Sequence, residues 1–108
     1  MANMDEIKRK ELSRIHSRIK EIVNGERFGA NHNDYPPNIG LFEELTSRFY
    51  DIASNMECPT NIMNTIMDGH HSLNREFMYF RSRQCINKYE TMRKILSEID
   101  QIMNDINN

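Results

Sequence analysis

LNREFMYFRSRQCINKYETMRKILSEIDQIMNDI, residues 73–106, decides the fold. It contains no Gly and no Pro, and its apolar residues recur at helical spacing: Leu73, Phe77, Phe80, Tyr89, Met92, Ile95, Ile99, Ile102 and Ile106. The last five step by 3, 4, 3 and 4, the period of one helix face. As one helix the stretch would run about 50 Å. Leu73, Gln84, Ile95 and Ile106 are spaced by eleven, so the pattern is nearer 3.6 than a strict heptad and favours a nearly straight helix over a coiled coil. No stretch alternates Val, Thr and aromatics at period two, which speaks against strands. The expected class is all-α: a small helical bundle of three or four helices with a long C-terminal helix.

Upstream, Ile62, Met63, Ile66 and Met67 continue the helical spacing. Gly69 then forks the reading. It could end a short third helix, or sit inside one helix at a cost of about 1 kcal/mol against Ala. No good capping box restarts a helix after it, since Ser72 has Arg75 and not an acid three residues on. A continuous or kinked helix over 60–106 is therefore expected. Pro59 separates it from a helix over 39–57, whose apolar face is Leu41, Leu45, Phe49, Ile52 and Met56, widened by Phe42 and Tyr50. Residues 4–23 form the first helix, opened by Asn3 with Glu6 and striped by Leu12, Ile15, Ile19, Ile22 and Val23. Asn24-Gly25 is expected to end it. GERFGANHNDYPPN, residues 25–38, reads as the long loop, with Phe28 and Tyr35 as its anchors.

A chain of 108 residues makes one domain, here 1–108. Its hydrophobic content of 38% and mean hydropathy of −0.74 leave a modest core. Self-association would add to that core, and a homo-oligomer, a dimer first, is expected. The stripe Met92, Ile95, Ile99, Ile102 and Ile106 reads either as core against the first helix or as an interface to another copy or a target helix. With little else in the chain to cover so long a helix, an interface is expected over part of it.

The net charge of −2 is unevenly spread: residues 1–25 carry +2, 26–72 carry −5, 73–96 carry +4 and 97–108 carry −3. Neighbouring helices could complement one another. A pI near 6.1 gives no support to a general nucleic-acid binder. Cys58 and Cys85 are too few for a disulfide framework or a zinc site. The charged N-terminus has no signal-peptide pattern, and no apolar run approaches the roughly 20 residues that span a bilayer. These features point to the cytoplasm and away from a membrane. Asn and Ile occur thirteen times each and Ala three. That bias suits an AT-rich genome, among which a viral or phage source is one reading.

Among chemical constellations, Arg75, Tyr79 and Arg83 stand out. Steps of four place two guanidiniums around one ring, an arrangement for a phosphate and a stacked base, or for an acidic partner surface. The plainer reading is that they are ordinary exposed helix positions, with Tyr79 shielding the core. Lys10, Arg14 and Arg18 make a similar row on the first helix, read chiefly as a solvated face. His70-His71 beside Asp68 resembles a metal site, but adjacent helical residues diverge by about 100° and cannot chelate from one face. His71 and Asp68 suit a simple hydrogen bond. His32 and Asp34 lack a second ligand pair, and His16 reads as a boundary residue. There is no nucleophile motif and no Gly-rich phosphate loop.

No catalytic residue, cofactor or metal is thus expected. The expected function is a small non-enzymatic interaction protein. It would self-associate through the C-terminal helix and regulate, inhibit or help assemble another macromolecule. The alternative is a nucleotide- or nucleic-acid-binding module using Arg75, Tyr79 and Arg83.

Overall fold

The computed structural model describes residues 4–29, 39–81 and 88–107, with side chains described over 6–25, 40–78 and 90–107. Four helices and no strand are found among them: α1 (Met4–Gly29), α2 (Ile39–Ser54), α3 (Thr60–Arg81) and α4 (Lys88–Asn107). The all-α bundle expected from periodicity is what forms.

Each helix buries one stripe because its apolar residues return every three or four positions. Leu12, Ile15, Ile19, Ile22 and Val23 come from α1, and Ile66, Leu73 and Phe77 from α3. From α4 come Met92, Ile95, Ile99, Ile102, Met103 and Ile106. On α2 the face is rotated from the expected one. Phe42, Phe49, Tyr50 and Ala53 are fully buried, Leu45 and Ile52 are only half-buried, and Leu41 is exposed. Thr46 is buried with them, its hydroxyl donating to the Phe42 carbonyl at 2.9 Å. That back-bond satisfies a polar group that pattern reading counts against a core position.

The helices pack in a ring, α1 on α2, α2 on α3, α3 on α4 and α4 on α1. Lys8 meets Asn55 and Glu11 meets Arg48. Asp51 meets His70, and Glu76 meets Lys94. Rising numbers on one helix thus meet falling numbers on the next, so the topology is up-down-up-down. Polar contacts thus cross all four seams, with His16–Asp100 closing the ring between α4 and α1. Exposed pairs contribute only about 0–1 kcal/mol each, so burial supplies the stability and the charges set register.

Two boundaries correct the sequence reading. Asn24-Gly25 does not end α1, which runs on to Gly29. Gly25 lacks a left-handed conformation, and a Cβ there would meet nothing within 4 Å. A single interior Gly costs only about 1 kcal/mol, which burial of Ile22 and Val23 offsets. Most of the expected loop, with Tyr35, His32 and Asp34, lies outside the described residues, as does the Phe28 side chain.

The second correction concerns residues 60–106. Gly69 does lie inside a helix, as favoured, but the span is two helices that pack antiparallel. A single helix there would run about 70 Å, whereas the molecule's longest extent is 47 Å. Lys94 Nζ lies 2.9 Å from Glu76 Oε1, an approach no continuous helix allows across 18 residues. Folding back covers the stripe of α4 within the chain, where an extended helix would leave it bare. At the other break, Met63 N–H donates to the Pro59 carbonyl at 3.0 Å, and Pro59 caps α3 instead of entering its first turn. Lys8 Nζ donates to the Asn55 carbonyl at 2.7 Å, placing a cation at the C-terminal end of α2.

Candidate functional site

The seam between α3 and α4 is polar on both sides. Thr65, Gly69 and Ser72 on α3 are small, and opposite them stand Glu98, Gln101 and Ile102 on α4. The bundle cannot fill this space, and a cleft of about 510 Å³ opens, reached also by Tyr50, Asp68, His71 and Arg75. Ser72 turns its hydroxyl back to the Gly69 carbonyl at 3.1 Å, which keeps that wall low.

Tyr50 of α2 forms the floor. The ring is fully buried, meets Phe49 edge-on at 5.6 Å and stacks on His70 at 5.8 Å. His70 is itself held from α2, with Ser54 Oγ at 3.5 Å and Asp51 at 3.7 Å. The Tyr50 hydroxyl reaches the seam beneath Gly69, buried and without a hydrogen-bond partner. Burial, and then the nearby Glu98 carboxylate, push the phenol above its ordinary range, so it remains protonated. An unmade hydrogen bond of this kind costs about 1–3 kcal/mol.

Glu98 is half-buried in the opposite wall. Burial raises its carboxyl above the usual carboxylate range, and repulsion from Glu76 adds to that. Lys94 opposes the shift but gives its hydrogen bond to Glu76, which in turn holds the Lys94 ammonium above its ordinary value. The site therefore joins a protonated, unsatisfied phenol to an acid that is poorly compensated.

Of the residues singled out by spacing, Arg75 lines this cleft and is exposed at its edge. The side chain of Tyr79 and the whole of Arg83 lie outside the described residues. The proposed interface stripe is corrected. Met92, Ile95, Ile99 and Ile102 are at most 1% exposed and Ile106 9%, all within the chain's own core, because α1 and α3 flank α4. Of the adjacent pair, His70 and not His71 has partners, and His71 stands exposed on the cleft side of α3. On α1, Arg14 pairs with Glu11, while Lys10 and Arg18 are exposed. His16 is half-buried, at the boundary, against Asp100. Cys58 is half-buried, and Cys85 lies outside the described residues. Among the described residues no three His, Cys, Asp or Glu side chains gather where they could hold a metal ion. Nor is any described helix long and apolar enough to cross a membrane.

Sequence reading missed Tyr50 and Glu98. Tyr50 was legible only as an apolar residue, and Glu98 as one acid in a mixed helix. Their meeting depends on α2, α3 and α4 converging.

Fold and site together define an antiparallel four-helix bundle with a polar cleft over a buried phenol. No protein-family model matches the chain, and neither a curated protein nor a solved structure matches it.

Proposed function

We propose that this chain is a small non-enzymatic binding protein whose working site is the α3–α4 cleft. The observation that carries the reading is the Tyr50 hydroxyl, buried and unpartnered in a site of about 510 Å³. Native interiors satisfy nearly all buried polar groups, and an orphan beside a cleft marks a place where a ligand completes the bonding.

A second reading keeps the cleft but makes it part of a larger contact, through which the protein regulates, inhibits or helps assemble another macromolecule. Met67 and Met78 favour it, at 40% and 72% exposure on the outward side of α3. Thioether side chains adapt to varied partner surfaces. Self-association, if it occurs, uses a surface such as this one and not the α4 stripe. The nucleotide or nucleic-acid alternative rests on Arg75, Tyr79 and Arg83 and predicts a steep loss of binding with salt, which an apolar contact lacks.

The test is thermal unfolding of the wild type and Y50F against a panel of small amines, carboxylates, nucleotides and neutral amides. A ligand that binds the folded cleft raises Tm by mass action. A class that protects the wild type more than Y50F supports the reading, and a panel that treats both alike removes it. Light scattering on the same samples gives the oligomeric state.

A further inference from the structure

We infer that the α3–α4 cleft takes a primary ammonium group, lodged between the Glu98 carboxylate and the Tyr50 hydroxyl oxygen. The inference rests on the cleft being the binding site and adds the chemistry of its ligand.

Two unmet demands line the same cleft. The Tyr50 hydroxyl has no partner, and its oxygen can accept while its proton turns aside. When ionised, Glu98 can only accept and carries a charge, and burial together with Glu76 makes that form costly. Lys94, the cation whose charge acts on Glu98, is hydrogen-bonded to Glu76 at 2.9 Å. An anionic ligand would face Glu98 and Asp68 in the same cleft. A neutral carbonyl would satisfy the phenol and desolvate the carboxylate further. An ammonium donates to both and supplies the missing charge, with three hydrogens on a compact head. Arg75 stands at the rim, where it can receive an anionic group on the far end of the same ligand.

Space agrees with a compact head. Thr65, Gly69 and Ser72 leave the α3 wall low, and a Cβ at residue 69 would lie 2.7 Å from the Tyr50 hydroxyl, closing the floor. An alkylammonium stem can lie against Ile102, the apolar residue of the α4 wall. The group can arrive on a free amine or as the lysine side chain of a partner protein.

The test is titration of the 15N-labelled chain with n-butylamine, butyrate and n-butanol at pH 7, following the Gly69, Ser72 and Gln101 amides. Saturable shifts with butylamine alone, weakened about tenfold or more in E98Q and several-fold in Y50F, are expected. Neither variant removes a core-filling group, so both remain folded. Equal shifts with butyrate or butanol, silence with butylamine, or undiminished binding in E98Q overturns the inference. A response to butyrate alone leaves the cleft as a binding site and removes only the ammonium; silence in all three arms removes both. Comparing butylamine with acetyl-Gly-Lys-Gly-amide and its Nε-acetyl-lysine counterpart then assigns the source. Tighter binding of the lysine peptide supports a partner's lysine, tighter binding of butylamine supports a free amine, and equal binding of the acetylated peptide overturns the ammonium.

Discussion

Gly69 lies against Tyr50 so closely that a Cβ on it would come within 2.7 Å of the hydroxyl, 2.8 Å of Cε1 and 3.0 Å of Cζ. Ordinarily Gly to Ala inside a helix is favourable by about 1 kcal/mol. Here the added carbon meets a rigid ring pinned between Phe49 and His70. Gly69→Ala is expected to destabilise the fold by about 1–3 kcal/mol, read as a lower midpoint in urea. Adding Tyr50→Leu should recover part of the gap between the two single variants, because the clash goes with the ring. A gain in midpoint for Gly69→Ala alone would show that the seam yields freely.

The Tyr50 hydroxyl costs stability in the free protein. Tyr50→Phe removes an unpartnered buried donor and keeps the ring, so a gain of about 0.5–1.5 kcal/mol is expected. The same change weakens ligand binding at the cleft, a trade of stability for function. Loss of stability in the variant would mean that the hydroxyl is satisfied in solution.

Ile99 and Met78 separate core from surface. Ile99 is fully buried and Met78 is 72% exposed. Ile99→Ala should cost about 2–5 kcal/mol, a large share of the roughly 5–15 kcal/mol that holds a domain together. Met78→Ala should stay within about 0.5 kcal/mol. Chemical denaturation of both variants checks this. A mild Ile99→Ala whose effect varies with protein concentration would restore the α4 stripe to an interface.

Acid should relieve the cleft. Glu98 has its folded-state pKa raised, first by burial and then by Glu76. The folded chain therefore binds this proton more tightly than the unfolded chain, and stability falls as pH rises past the ordinary carboxylate value of about 4.3. Above the folded pKa the whole penalty applies. Glu98→Gln is expected to stabilise the protein at pH 7, with the difference from wild type shrinking toward pH 4. Paired urea melts across that range measure it, and a constant difference would show that Glu98 titrates normally. Lys94 acts at the other end: its raised value adds stability below its usual pKa of 10.5 and loses it as pH climbs beyond.

The helical class and most core positions were readable because helices announce themselves locally. Leu12, Ile15, Ile19 and Ile22 recur at a helical period, and burial followed that period in the folded chain. The same locality set the errors. Residues 60–106 carry a helical pattern throughout, and periodicity has no term for a chain that folds back, so Met92 to Ile106 looked exposed when α1 and α3 already cover them.

What the sequence determined by itself is the set of amphipathic helices and the break at Pro59, properties of neighbours within a few residues. What only the tertiary structure decided is which stripes face one another, and hence the cleft. Tyr50, Gly69 and Glu98 come from three helices and are far apart in the chain. They line one cleft because antiparallel packing sets Gly69 over the Tyr50 ring and Glu98 across the seam. Local propensity carries no record of that register; it follows from burying four stripes in one small core.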